Sequence, residues 1–300
     1  MKRIPIIIDA DPGTDDAFAI MLALCHSDSF DVKLITTTEG NIPLDTTTKN
    51  VLYLVEAFSK SRVPVAKGKY VTSDTVVRAD DVHGVGGLGD FVVPELHSSV
   101  IDSSAVEAMY STLQSSKEKV VICALAPLSN VADLLLAHPD CVDKIDYIFT
   151  MSGSREGKGN IKPYAEFNAY FNPKALDIVL KSGVKVVMNP MELGLEIAIP
   201  NVWFYNHDRS THKEKFIYDV VHGCHDALLS DVFVTYDILV PYCLLHPEEF
   251  EFRKCNITIS LDEQNLGQTL VEWTPNGRDE IIFARDIGAT IQNVFNELYK

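Results

Sequence analysis

Asp9, Asp11, Asp15 and Asp16 place four carboxylates within eight residues, after the apolar run Ile6-Ile7-Ile8 and on both sides of a Pro12-Gly13 break. Carboxylates crowded this closely repel one another and resist ionisation unless a cation holds them. Hard oxygen ligands of this kind suit Ca²⁺ or Mg²⁺ rather than zinc. A capped helix with a solvated acidic first turn would account for Asp15 and Asp16. It would leave Asp9 and Asp11 unexplained.

The elements that must hold these groups follow from the local pattern. Residues 5–8 read as a short buried strand, a β-branched run that stops at polar residues. From Thr14 onward, Ala17, Ile20, Met21 and Leu24 recur at helical spacing. Thr14 is the expected N-cap, which puts Asp15 and Asp16 in the first turn, where the helix dipole favours negative charge. Asp9 and Asp11 then sit where a strand leaves the sheet, the place where open α/β sheets bind ligands.

Strands are expected at 32–38, 63–66, 119–125, 145–151 and 184–188, alternating with helices at 46–58, 103–113, 128–137 and 173–181. Alternation at this pitch predicts an α/β fold, a single domain over residues 1–300. Its open, mostly parallel central sheet is covered by helices on both faces around a Rossmann-like core. Strands at 255–261, 269–273 and 280–284 and a helix at 287–298 close the chain. Three stretches, 71–94, 152–168 and 192–213, fit no regular element, and long irregular loops in a compact domain are usually functional.

The 26 basic and 42 acidic residues give a formal charge of −16, a poor match for a nucleic-acid backbone. The six cysteines form no Cys-x-x-Cys pair and several lie in apolar runs, which fits buried thiols in a reducing compartment. There is no run long enough to span a bilayer and no signal-peptide pattern, so a cytoplasmic protein with no membrane partner is expected.

Further along, Thr36-Thr37-Thr38-Glu39-Gly40-Asn41 closes the second strand. Asp80-Asp81-Val82-His83-Gly84-Val85-Gly86-Gly87-Leu88-Gly89 is glycine-rich but lacks the Lys-Ser/Thr ending of a phosphate loop. Leu125 ends a buried strand. Met151-Ser152-Gly153 is followed by Asn160 and by Glu166-Phe167-Asn168, whose amides and carboxylate suit sugar hydroxyls. Tyr236-Asp237 precedes an apolar helical run. His222-Gly223-Cys224-His225 has no second Cys/His cluster at zinc spacing. His225-Asp226 competes with Tyr236-Asp237 as a late acidic ligand.

Residues 9–16 read Asp-Ala-Asp-Pro-Gly-Thr-Asp-Asp. This resembles the opening motif of the inosine–uridine nucleoside hydrolase family, Asp-x-Asp-Pro-Gly-x-Asp-Asp, at every fixed position. The aspartyl-nucleophile phosphohydrolases share the Asp-x-Asp start but want Thr or Val where Gly13 stands. The resemblance continues in order to about Phe250. It implies hydrolysis of the N-glycosidic bond of a ribonucleoside to ribose and free base. It implies Ca²⁺ held by Asp11, Asp16, Asp237 and the Leu125 carbonyl, with Asp11 taking the proton of the attacking water and Asp9 supporting the metal ligands. Asp15 would orient the ribose 2′ hydroxyl. Asn41, Asn160, Glu166 and Asn168 would hold the sugar, and His83 and Phe167 would line the base side beside Met151 and Tyr236. A homodimer or homotetramer is implied as well.

Three departures stand out. Glu39 replaces a small residue, Tyr236 stands where purine-active members often carry a base-protonating His, and Pro190-Met191-Glu192-Leu193-Gly194 stands where the family usually has Leu-Asp-x-Thr. Two alternatives follow: a magnesium-dependent phosphohydrolase, and a catalytically impaired nucleoside- or ribose-binding protein.

Overall fold

The β-branched run at the start becomes the centre of the molecule. The computed structural model describes residues 2–71, 75–224 and 231–300; His225 and Asp226 lie outside them. Strand β1 (Ile4–Ala10) leads into helix α1 (Thr14–Cys25), then β2 (Phe30–Thr37), α2 (Leu44–Phe58), β3 (Val65–Lys67) and the single turn α3 (Asp80–His83). Next come α4 (Ala105–Ser115), β4 (Val120–Ala124), α5 (Ser129–Ala137), β5 (Ile145–Met151), α6 (Phe167–Phe171), α7 (Pro173–Lys181) and β6 (Val186–Asn189). Short elements follow: α8 (Met191–Glu196), β7 (Ile199–Pro200), α9 (Asn201–Tyr205), α10 (His212–His222), β8 (Val232–Phe233) and α11 (Leu239–Leu245). The chain ends in β9 (Phe250–Ile259), β10 (Thr269–Trp273), β11 (Asp279–Ala284) and α12 (Ile287–Tyr299).

Nine strands form one sheet in the order β10-β9-β11-β6-β5-β4-β1-β2-β3. Seven of them, from β11 to β3, run parallel, and β9 and β10 add an antiparallel extension. The expected α/β architecture is therefore the observed one. Strand periodicity sends Ile6 and Ile8 into the core beneath α1 and α2, and Ile7 into the opposite core with residues of α4, α5 and α7. Each such side chain, fully withdrawn from water, contributes about 2–3 kcal/mol of hydrophobic stabilisation.

Two details of the opening segment differ from the sequence reading. First, β1 continues through Asp9, which sits in register between Thr36 and Ala124. The polar side chain is tolerated inside the sheet because Thr36 Oγ1 (2.6 Å) and Asn130 Nδ2 (2.8 Å) donate to its Oδ1. Second, Gly13, not Thr14, is the N-cap of α1. Its N–H donates to Asp16 Oδ2 at 3.1 Å, whereas the Thr14 hydroxyl is engaged with His83 Nδ1 at 2.9 Å. An acid three residues into the helix that reaches back to the cap N–H replaces a capping hydroxyl. In the stretch at 192–213, expected to be irregular, residues of α8, α9 and the start of α10 are helical.

Among the described residues, no helix is long and apolar enough to cross a membrane. All six cysteines are free thiols.

Candidate active site

The carboxyl ends of the parallel strands deliver the polar residues to one place. Asp11 follows β1, residues 38–41 follow β2, Leu125 follows β4, and Ser152 follows β5. A cavity of about 230 Å³ opens there. Its wall includes Asp15, Asn41, His83, Leu125, Met151, Asn160, Glu166, Phe167, Asn168, Tyr236 and Asp237. These are the residues expected on the substrate side together with two of the expected metal ligands. The fully buried Asp9, Asp11 and Asp16 are not part of the wall.

Asp15, Asp16 and Asp237 each offer a carboxylate oxygen, all within 4.8 Å of one another. The tightest trio thus contains Asp15, expected to serve the ribose, and not Asp11. Asp11 stands close enough to repel Asp16 and Asp15. Its Oδ2 accepts the Asn41 N–H at 2.6 Å, and its Oδ1 is buried with no hydrogen-bond partner. Asp237 Oδ1 is likewise buried and unpartnered. Oxygen atoms with nothing to neutralise them are costly in a dry interior. Burial, then the charge of Asp16, pushes the Asp11 and Asp237 carboxyls well above the usual carboxylate range. Burial followed by the charge of Asp15 lifts Asp16 to about 7. Burial raises Asp15 as well, with His83 acting against it, and burial lifts Asp9 to about 6. A donor set of hard oxygens with two orphaned atoms fits a divalent cation and can hold one.

The sugar-side residues are tied to backbone. Asn168 Nδ2 donates to the Leu125 carbonyl at 2.8 Å and the Met151 carbonyl at 3.0 Å, joining the ends of β4 and β5. Glu166 caps α6: Oε1 accepts the Asn168 N–H at 2.9 Å, and Oε2 accepts the Gly153 and Ala169 N–H groups at 2.7 and 3.1 Å. Burial still holds its pKa up, at about 7. Asn160 Oδ1 accepts the Phe167 N–H at 2.9 Å. Asn41 Nδ2 donates to Asp16 Oδ2 at 3.2 Å, so this amide serves the carboxylates as well as the wall.

Sequence reasoning missed several contributors. Arg78 and Cys224 line the cavity. Thr14 fixes His83: its N–H donates to Nδ1 at 3.2 Å, which makes that nitrogen an acceptor. Glu192, from which nothing was inferred, accepts from Ser154 Oγ at 2.5 Å and from the N–H groups of Arg155 and Glu156 at 3.1 Å each, organising the loop that carries Asn160. A signal for Arg78 existed. Glu39 at a buried strand end needs a cation, and Arg78 is the only Lys or Arg between Lys69 and Lys117. Among the described residues no lysine lines the cavity, and the phosphohydrolase alternative is not favoured.

Comparison with known proteins places these features in context. The family model described as inosine-uridine preferring nucleoside hydrolase matches residues 6–290. A pyrimidine-specific ribonucleoside hydrolase, RihA, of Escherichia coli O7:K1 (strain IAI39 / ExPEC) is 43% identical over 192 residues, 63% of this chain and 61% of the relative. The counterpart from Salmonella newport (strain SL254) matches to the same extent. The chain thus spans 61% of the length of the curated relatives it matches. Among solved structures, the plant nucleoside hydrolase PpNRh1 superposes with a TM-score of 0.90 at 25% identity, covering 99% of both chains. A purine-preferring ribonucleoside hydrolase from Gardnerella vaginalis gives 0.89 at 23% identity over 98% of each chain, a likeness of fold.

Proposed function

Since the chain belongs to the inosine-uridine preferring nucleoside hydrolase family, we propose that it hydrolyses the N-glycosidic bond of ribonucleosides to ribose and free base in a calcium-dependent reaction. The observation that carries this reading is the buried Asp15, Asp16 and Asp237 cluster beside a cavity lined with amide and carboxylate side chains. The pyrimidine-specific relatives at 43% identity favour uridine and cytidine as substrates.

Asp11, Asp16, Asp237 and the Leu125 carbonyl would hold the cation, which supplies positive charge for the ribose diol and for activation of water. The unpartnered Oδ1 atoms of Asp11 and Asp237 favour this assignment over one with Asp15. Asp15, on the cavity wall, is left to accept the 2′ hydroxyl. Asp11 in its ionised form takes the proton of the attacking water. As the bond to the base breaks, the sugar develops oxocarbenium character, and the surrounding buried carboxylates stabilise that charge. Asn41, Asn160, Glu166 and Asn168 orient the sugar. Met151, Phe167, His83 and Tyr236 bound the space for the base. Asp9, held by Thr36 and Asn130, supports the end of β1. The six free thiols support a cytoplasmic setting, and we extend the proposal to a homodimer or homotetramer, as the family resemblance implies.

The test is release of free ribose from uridine, cytidine, inosine and adenosine before and after chelation. Release that vanishes on chelation and returns with calcium is the expected result, and Asp11→Asn should abolish turnover. Calcium binding without ribose release from any of the four would instead favour a nucleoside-binding protein.

A further inference from the structure

Arg78 is the one Lys or Arg side chain among the described residues lining the cavity, yet it does not present a bare charge. Its Nη2 is ion-paired with Glu39 Oε1, and its Nη1 donates to the Gly40 carbonyl at 3.2 Å. The second Glu39 oxygen accepts the Val71 N–H at 2.8 Å. The Ala79 N–H donates to the Asn41 carbonyl at 2.9 Å. Residues 39–41, which follow β2, are thereby fastened to residues 78–79.

The peptide between Gly40 and Asn41 lies at the centre of this clasp. Its carbonyl accepts from Arg78, and its N–H donates to Asp11 Oδ2. A donor on a peptide carbonyl polarises the unit and strengthens the bond its N–H makes. Gly40 allows the close approach: a Cβ there would overlap Asp11 Oδ2 and stand 3.0 Å from Pro127. Glu39 is itself buried, only 6% exposed, and a buried carboxylate needs a partner of opposite charge. The pair is formally neutral, so its contribution to the site is geometric more than electrostatic.

We propose that the Glu39–Arg78 pair is a positioning device for Asp11. It fixes the Gly40–Asn41 peptide, which holds Oδ2 of Asp11 and leaves Oδ1 directed to the cation and to water. As far as it concerns catalysis, the inference rests on the hydrolase reading; as far as it concerns cation binding, it does not.

The variant Arg78→Gln separates geometry from field by sign. If the guanidinium acted only through its charge, removing it beside several carboxylates would tighten calcium binding. Positioning demands the opposite. Calorimetric titration of chelator-treated protein with calcium, without substrate, should show Kd rising about tenfold, as expected when a charge-assisted hydrogen bond is lost. Arg78→Lys keeps the charge but loses the planar fork that spans carboxylate and carbonyl, and should fall between wild type and Gln. An unchanged or tighter Kd in Arg78→Gln, with wild-type circular dichroism and Tm, overturns the proposal.

With nucleoside as substrate, kcat should fall about tenfold while KM stays within about twofold. A raised KM at preserved kcat would make Arg78 a substrate contact and overturn the positioning role. Should Arg78→Gln fail to fold, Arg78→Lys carries both measurements. If the wild-type chain releases no ribose, the hydrolase reading fails while the calcium titration still decides this one.

Discussion

Gly40 is the residue at which one methyl group would do most damage. Its backbone lies against Asp11, and a Cβ built there collides with the carboxylate on one side and nears Pro127 on the other. Neither neighbour has an easy escape, because Asp11 is fully buried and held by the Asn41 N–H. Gly40→Ala should lower kcat/KM by about a hundredfold, the usual scale for an ångström-sized displacement of a reacting group. Steady-state kinetics together with a thermal melt would separate this from unfolding. A retained kcat/KM would mean that Asp11 tolerates displacement. At this scale the sequence was legible where a carboxylate pattern has few physical explanations, as in Asp9 to Asp16. It was less legible for Glu166 and Asn168, whose side chains bond to backbone groups made available only by the folded loop.

At the scale of elements, the loop after β5 is held in place from two directions. Glu192 in α8 gathers Ser154 and the two N–H groups that follow it. From β10, Thr269 Oγ1 donates to the Ser154 carbonyl at 2.7 Å and accepts the Ser154 N–H at 2.8 Å. Thr269→Val keeps the shape and strands both backbone groups, which should cost about 1–3 kcal/mol. Urea denaturation would read this as a lower midpoint at unchanged slope. A ΔΔG near zero would show that the loop does not depend on the β10 contact.

Strand and helix order was recoverable from apolar periodicity, since parallel strands buried on both faces read as short continuous runs. The limits of β1 and the cap of α1 were not. A buried Asp inside a strand and an acid serving as a reverse cap both depend on partners far along the chain or on geometry that periodicity does not encode. The Glu192 hub was missed for the same reason, because its partners lie 36 to 38 residues away.

For the whole molecule, the buried carboxylates make stability a function of pH and cation together. Asp9, Asp16 and Glu166 bind their protons more tightly folded than unfolded, at about 6, 7 and 7. Between about pH 4, where the unfolded carboxyls titrate, and pH 7, the folded state therefore holds more protons than the unfolded one. Linkage makes stability fall as pH rises through that window. Chelated protein should accordingly show a Tm that drops from pH 5 to pH 8. Calcium should raise Tm far more at pH 8, where the site is ionised, than at pH 5, where protons already occupy it. A calcium increment equal at both pH values would sever the link between these carboxylates and the cation.

The wide separation in sequence of the groups that meet at the cavity also governs the order in which a chain under synthesis can acquire its function. Asp11, Asp15 and Asp16 leave the ribosome well before Asp237 and the Thr269 tether. Early strands such as β1 and β2 can pair, but the cluster of negative charge at their ends stays incomplete until late. A nascent chain stalled before Asp237 should carry a partly formed sheet with no competent cation trap, so metal capture would wait on synthesis of the Asp237 segment.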